Sequence, residues 1–371
     1  MTMIQRIILS GGGTGGHIYP ALSIYRRLKE MNPDLECLYI GTERGLEARI
    51  VPQAGVSFES IEIQGIKRSL SLSNFKALWL MLTASQRAKK MIQKFQPDVI
   101  VGTGGYACAP VVSAGADLGI PTLIHEQNSV AGLTNKFLAR KVDRIATSFK
   151  AVHHDFAKYA EKIRFTGNPR AQEVYQIKRD RQILASQFKL KSDQATVLIF
   201  GGSRGAPAIN QAALAALTDW SAKDYQVIIA TGQDHYQALM AEIQTEHIGK
   251  NIRIVPYIEN MPEVFQAIDL VICRSGATTL TEIMALSLAS ILIPSPYVTN
   301  NHQEANAQAL VDQNAAIMIK QDQLNPQILV SQVDQLIQDP EKLKTMGSQA
   351  RSMAVVDATD QIIQQLSEIV G

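Results

Sequence analysis

The sequence predicts an α/β protein made of two Rossmann-like domains, each a doubly wound parallel sheet. Two glycine-rich turns and a strand–helix alternation that starts twice predict it. Ile7-Ile8-Leu9-Ser10 runs into Gly11-Gly12-Gly13-Thr14-Gly15-Gly16-His17, and Val197-Leu198-Ile199-Phe200 runs into Gly201-Gly202-Ser203-Arg204-Gly205. Each turn follows a short apolar strand and opens a helix-like segment. Glycine lets backbone N–H groups come close to an anion, and the helix N-terminus that follows favours negative charge. One such loop is weak evidence. Two, each heading its own alternation, describe two nucleotide-type domains facing a shared cleft.

In the first half, strands are expected at 6–10, 36–40, 98–101, 122–125 and 144–146, with amphipathic segments such as 20–29 between them. Alternation of this kind gives a parallel sheet with its ligands at the carboxyl ends of the strands. It restarts after Thr166-Gly167-Asn168-Pro169, with strands at 196–200, 226–230, 253–255, 270–273 and 290–293. The polar stretch 170–194 carries a helix before the second sheet, and 357–369 reads as an amphipathic helix.

A chain of 371 residues holds two domains with sizeable cores, and 46% hydrophobic with 19% charged residues is globular composition. A net charge of +2 lacks the basic excess of a nucleic-acid binder, so no nucleic-acid partner is expected. Cys37, Cys108 and Cys273 form no C-x-x-C pair and read as reduced thiols of a cytosolic protein. Residues 1–6 lead straight into a core strand without a secretory cleavage site. No apolar run approaches the roughly 18 residues that span a bilayer, so the expected protein is soluble or peripheral.

Residues 67–94 depart from their surroundings. They contain Lys67, Arg68, Lys76, Arg87, Lys89, Lys90 and Lys94, no acidic residue, and Phe75, Trp79, Leu80 and Met81 interleaved. Leu78, Leu82, Ser85, Ala88, Ile92 and Phe95 follow helical spacing, whereas Trp79 and Leu80 fall off that stripe. One reading is a helix packed on the sheet with a solvated basic face. The other is an apolar tip and basic patch resting on an anionic membrane.

The first loop satisfies G-x-G-x-x-G through Gly11, Gly13 and Gly16. A dinucleotide site would also need an acid closing the second strand; Glu43 is offered, but Gly41 occupies the strand end. His17 follows the last glycine at a helix N-terminus, where a positive charge is disfavoured and the neutral, base-competent imidazole is favoured. Further small-residue turns, Gly102-Thr103-Gly104-Gly105-Tyr106 and His125-Glu126-Gln127-Asn128, follow strands on the same edge and read either as tight turns or, together, as a pocket.

In the second half, Ser275, Gly276 and Ala277 can present helix N-terminal N–H groups to a diphosphate. Glu282, about two turns into that helix, reads either as a surface carboxylate or as an acceptor for a ribose diol. The polar stretch from Pro294 through Gln303 to Ala307 suits a hydroxyl-rich ligand, because each buried hydroxyl needs a partner. No Asp-x-Asp supports a metal on a nucleotide diphosphate, no P-loop occurs, and no His/Cys cluster has zinc spacing. Neither a metal nor a cofactor is therefore expected.

Six motifs together carry a resemblance: Gly12-Gly13-Thr14-Gly15-Gly16-His17-Ile18-Tyr19-Pro20, Ile124-His125-Glu126-Gln127-Asn128, Ala131-Gly132-Leu133-Thr134-Asn135, Thr166-Gly167-Asn168-Pro169, Gly201-Gly202-Ser203 and Cys273-Arg274-Ser275-Gly276-Ala277. In this order, over about residues 6–310, the chain resembles the MurG family of glycosyltransferases. The resemblance implies a GT-B fold, with domains at 1–165 and 166–349 and a C-terminal helix, 350–371, packing back on the first. It implies inverting transfer of N-acetylglucosamine from UDP-N-acetylglucosamine to undecaprenyl-linked muramyl-pentapeptide (lipid I), giving lipid II for peptidoglycan biosynthesis. The partners are then that donor, that acceptor and the anionic inner membrane surface, with the protein peripheral on the cytoplasmic side.

By the same resemblance, Thr14, Gly15, Gly16, Asn128, Arg170, Ser203, Ile258, Met261, Glu282 and Gln303 line the donor site. Ile258 meets the uracil, Ser203 and the turn of Ser275, Gly276 and Ala277 the diphosphate, Glu282 the ribose and Gln303 the glucosamine hydroxyls. His17 is the candidate for activating the acceptor hydroxyl. Arg204 stands where the family commonly has glutamine. The competing readings are a UDP-sugar 2-epimerase, another GT-B lipid glycosyltransferase and a nucleotide-binding regulator.

Overall fold

A computed structural model describes residues 3–63, 73–202, 205–243 and 248–371, giving the helix backbone within 73–82. Ser203, Arg204 and the side chains of the basic segment through Leu82 lie outside the described residues. The chain divides into two compact units, Met1–Gln172 with Val355–Gly371, and Glu173–Ala354.

The first unit holds a seven-stranded sheet: β1 (Arg6–Gly11), β2 (Glu36–Gly41), β3 (Ser57–Ser60), β4 (Val99–Gly104), β5 (Thr122–Glu126), β6 (Arg144–Thr147) and β7 (Ile163–Phe165). Its order is β3-β2-β1-β4-β5-β6-β7, and every pairing is parallel. The second unit holds β8 (Thr196–Phe200), β9 (Gln226–Ala230), β10 (Ile252–Val255), β11 (Leu270–Cys273), β12 (Ala289–Leu292) and β13 (Ile317–Met318), in the order β10-β9-β8-β11-β12-β13. Both sheets are doubly wound, with the order reversing between β1 and β4 and again between β8 and β11. The predicted fold class is the observed one.

The central strands β4, β5, β8, β9, β11 and β12 are buried at every position, as strands covered by helices on both faces must be. Their runs of Val, Ile and Leu made them legible. The edge strands β3, β7 and β13 are absent from the sequence reading, because they are two to four residues long and only partly buried. The basic segment contributes the helix Ser73–Phe95, and Ala88 and Ile92 of the expected stripe are fully buried.

Three aspartates, each one residue before a strand, pin the amino ends of both sheets. Asp98 accepts the N–H groups of Gln5 and Arg6 at 2.7 and 2.8 Å, Asp143 that of Thr122 at 2.8 Å, and Asp269 that of Thr196 at 2.8 Å. Each also donates its own N–H to the neighbouring strand, at 2.9 to 3.0 Å. The result is one extra rung that fixes register where the ladder would fray. Asp269 in addition takes Arg181 through both oxygens, at 2.8 and 3.1 Å. That guanidinium donates to the carbonyls of Ser192 and Gln194 at 2.7 Å, tying the polar stretch before β8 to the sheet.

The last helix, Ala358–Val370, belongs to the first unit. Its Ile362, Ile363 and Leu366 share a core with Ile18, Leu22 and Ile24 of the helix Gly15–Met31. Arg27 grips Asp360 at 2.7 and 3.3 Å, and Gln172 both donates to that carboxylate and accepts the Asp360 N–H.

Replacing Asp269 by alanine strands the Arg181 charge and the Thr196 N–H together. Urea unfolding should show a loss of about 2–3 kcal/mol. Asp322→Ala, at an exposed position, should stay within about 0.5 kcal/mol of wild type.

Candidate active site

The loop leaving β1 is packed backbone to backbone against the loop leaving β4, at the switch point of the first sheet. Gly12 N–H donates to the Gly104 carbonyl at 3.1 Å. A Cβ on Gly105 would overlap the Gly12 backbone, and one on Gly11 would overlap the Thr103 hydroxyl. Thr103 donates to the His17 carbonyl at 2.7 Å, and Tyr39 OH to the Gly11 carbonyl at 2.7 Å.

Within this frame His17, the third residue of its helix, is half-buried, with Nδ1 2.8 Å from the Gly12 carbonyl oxygen. A carbonyl only accepts, so Nδ1 carries the ring proton and Nε2 keeps its lone pair. The ring lies over Gly104, where a Cβ would sit 3.0 Å from His17 Nε2 and Gly104 has φ +104°. This geometry gives a base its required tautomer.

Behind it, His125 is fully buried. Its Nε2 lies 3.0 Å from the Gly167 carbonyl oxygen, and its Nδ1 takes the Gln127 amide at 3.0 Å. Burial pushes its pKa down to about 4, against the small upward pull of the Gly167 carbonyl. Gln127 also donates to the Thr103 carbonyl at 2.8 Å, linking the β5 turn to the β4 loop. Glu126, buried at the end of β5, accepts from the backbone and side chain of Asn128, the Gly132 N–H and the Asn135 amide, at 2.8 to 3.1 Å. The turns read as a pocket edge are thus held by one carboxylate and one neutral imidazole.

In the second unit, Gly201 and Gly205 close the β8 turn against Ala206 and the Thr231 carbonyl, and Gly202 and Gly205 have φ of +95° and +76°. After β11, the helix Ala277–Ala285 starts from Gly276, an N-cap that brings no side-chain oxygen to the helix start. The fully buried Ser275 hydroxyl donates to the Gln303 carbonyl at 2.7 Å, while Gln303 Oε1 accepts the Ser295 N–H at 2.8 Å. Asn306 donates to the Ser275 carbonyl at 3.2 Å. Arg274 donates to the carbonyls of Ile293 and Pro294, both at 3.0 Å, so the turns after β11 and β12 form one cluster.

Residues 7–147 match the glycosyltransferase family 28 N-terminal domain, and residues 196–362 match the family 28 C-terminal domain. A Listeria welshimeri protein, UDP-N-acetylglucosamine–N-acetylmuramyl-(pentapeptide) pyrophosphoryl-undecaprenol N-acetylglucosamine transferase, is 49% identical over 97% of this chain and 98% of its own. The chain belongs to the MurG family. The Acinetobacter baumannii MurG crystal structure superposes with a TM-score of 0.75 at 27% identity, covering 98% of this chain and 99% of that one. A UDP-N-acetylglucosamine 2-epimerase of Listeria monocytogenes superposes at 0.72 but with 12% identity over 98% and 96%, and so shares the fold alone.

In this MurG-family chain the described candidates fall into two groups. Thr14, Gly15, Gly16, His17, Asn128 and Arg170 belong to the first unit, and Arg170 lies over the Tyr19 ring at 5.5 Å. Ile258, Met261, Ser275, Gly276, Ala277, Glu282 and Gln303 belong to the second. Ile258 and Glu282 are both buried.

The sequence reading missed Glu47. Glu43 is the acid that the sequence offers near the end of β2, whereas Glu47 is the residue that turns in, accepting the Gly13 N–H at 2.9 Å. That N–H, expected to serve an anion, already serves one of the protein's own. The signal available was Gly41-Thr42 with Gly45 ahead of a helix start, glycines spaced to admit a buried side chain.

Gly104→Ala would strain a left-handed φ and push on the imidazole, so kcat should fall at least about tenfold while the fold persists. His125 makes a separate, pH-dependent contribution. Below pH 6.5 the unfolded chain takes a proton that the folded imidazole refuses until about pH 4. Stability is therefore whole above 6.5 and falls with pH by about 3 kcal/mol from this group. Urea unfolding at pH 7 and pH 4.5 should show a smaller acid loss for His125→Asn than for wild type.

Proposed function

We propose that this chain transfers N-acetylglucosamine from UDP-N-acetylglucosamine to the 4-hydroxyl of the muramyl sugar of lipid I, giving lipid II with inversion at the anomeric carbon. The observation that carries the reading is 49% identity over nearly the full length of a transferase bearing that activity in its name. The chemistry is one in-line displacement. The acceptor oxygen bonds to the anomeric carbon, the bond from that carbon to the UDP β-phosphate oxygen breaks, and the hydroxyl proton passes to His17 Nε2. The Gly12 carbonyl supports this role, because it holds the opposite nitrogen protonated.

In the same proposal Met1–Gln172 with Val355–Gly371 is the acceptor and membrane-side unit, and Glu173–Ala354 binds the donor. Ser203 and the turn of Ser275, Gly276 and Ala277 receive the diphosphate; the open, glycine-capped helix start favours that charge. Ile258 meets the uracil beside Met261, and Glu282 takes the ribose hydroxyls. Gln303, its carbonyl oxygen tied to Ser295, offers its amide hydrogens to the glucosamine. Thr14, Gly15, Gly16, Asn128 and Arg170 complete the donor site.

The protein is a peripheral membrane enzyme in this reading, working at the anionic cytoplasmic face. Among the described residues no helix is long and apolar enough to cross a membrane. The residues supporting surface docking are the bases of 67–94 and a patch on the first unit. There Tyr106, Leu133 and Phe137 are exposed, and the Arg140 guanidinium lies 5.0 Å from the Phe137 ring centre.

UDP release by purified protein should require a soluble lipid I analogue and yield a β-linked disaccharide. Conversion of the donor without acceptor would mean epimerase chemistry instead, and binding without turnover a regulator. His17→Ala should lower kcat at least about a hundredfold with donor KM little changed; wild-type turnover would remove His17 from the mechanism. Sedimentation with anionic vesicles should show binding that weakens with salt, and no binding at low salt would sink the surface-docking reading.

A further inference from the structure

The peptide group joining Gly12 to Gly13 is held at both polar ends. Its carbonyl oxygen accepts His17 Nδ1–H at 2.8 Å, and its N–H donates to Glu47 Oε2 at 2.9 Å. Glu47 is fully buried, and its other oxygen accepts the Thr42 N–H at 3.1 Å and the Thr42 hydroxyl at 2.7 Å. Gly12, Gly41 and Gly45 make the room: a Cβ on any of them would run into the Glu47 side chain. A carboxylate enclosed this tightly has one route to the reaction, through the peptide it grips.

We propose that Glu47 is a positioning residue for His17, acting through the Gly12–Gly13 peptide. The inference rests on His17 being the base. The chain of contacts runs from the Glu47 carboxylate to the Gly13 N–H, across the peptide to the Gly12 carbonyl, and on to His17 Nδ1–H. Peptide resonance couples the two ends. An anion on the N–H draws the amide further toward its charge-separated form and puts more negative charge on the carbonyl oxygen. Hydrogen bonds in such chains strengthen one another by about 10–30% each.

Two consequences follow for catalysis. The protonated Nδ1 is held before reaction, since an unprotonated Nδ1 would set its lone pair against the Gly12 oxygen. When Nε2 receives the acceptor's proton, the imidazolium forms facing a carbonyl whose charge the buried carboxylate has enhanced. In a Ser-His-Asp triad a carboxylate does both jobs by direct contact with the ring. Here a peptide bond stands between them.

The test is Glu47→Gln, which keeps the shape and one accepting oxygen but removes the charge. It should lower kcat by about tenfold or more while donor KM stays near wild type. Nitrogen-15 histidine spectra supply a readout that loop stiffening alone would not move. Wild-type His17 should show a protonated Nδ1, a bare Nε2 and a strongly deshielded Nδ1 proton, and that proton should move upfield in E47Q. Wild-type kcat in E47Q, or an unmoved Nδ1 proton, overturns the proposal. Should E47Q fail to fold, a wild-type His17 protonated at Nε2 overturns it alone. Full turnover in His17→Ala would sink the base reading itself, whereas a collapse there beside an active E47Q sinks only the relay.

Discussion

The first site depends on one close approach: the backbones leaving β1 and β4 touch. Gly12 and Gly104 are joined by a main-chain hydrogen bond, and Gly105 sits where any side chain would strike Gly12. Because the two loops meet without side chains between them, the imidazole of His17 has a fixed floor in Gly104 and a fixed acceptor in Gly12. The two groups that meet the ring here, the Gly12 carbonyl and Gly104, are backbone, which moves less than side chains do. The surrounding polar groups, Thr103, Tyr39 and Gln127, then bond to the carbonyls that this packing leaves exposed. The Gly12 carbonyl chooses the tautomer of that ring.

The two units reuse one plan and diverge at the strand ends. At the amino edge the plan is the same: an aspartate before a strand adds a rung, at Asp98 and Asp143 in one sheet and Asp269 in the other. At the carboxyl edge the first unit fills its loops with its own carboxylates. Glu47 sits under the β1 loop and Glu126 under the β5 turn, both buried and both saturated by donors. Buried charges in such cages resist rearrangement, since removing a donor leaves an uncompensated ion. In the second unit the turn after β11 is tied by neutral contacts among Ser275, Gln303 and Asn306 and by Arg274, and its helix start has a glycine cap.

Much of this was legible in the sequence because it is written in runs and breaks. Buried parallel strands read as short blocks of Val, Ile and Leu, and glycine turns after them mark switch points, so both sheets and both loops could be located. The family followed from motifs in order. Three of the four edge strands escaped because a segment such as Ser57-Phe58-Glu59-Ser60 or Ile317-Met318 has neither length nor full burial to distinguish it from loop. Glu47 escaped for a different reason. Its role depends on three glycines, at 12, 41 and 45, converging on one side chain, and convergence is a property of the fold. Ser275 shows the converse: a residue type suited to a diphosphate whose hydroxyl is spent on the Gln303 carbonyl. What it can still offer is its place in the chain, at the head of the helix.

That contrast gives the turn after β1 and the turn after β11 different electrostatics. An anion brought to the Gly13 N–H would have to displace Glu47, and would meet a negative charge that the surrounding glycines hold in place. At about 4 Å and an effective dielectric near 20, two like unit charges repel by about 4 kcal/mol, more than one charge-assisted hydrogen bond returns. The helix start at Ala277 has a glycine cap and no acidic residue in its first turn. On the proposed mechanism the negative leaving group belongs after β11, at the glycine-capped helix start, and the carboxylate under the turn after β1 serves instead to aim the imidazole.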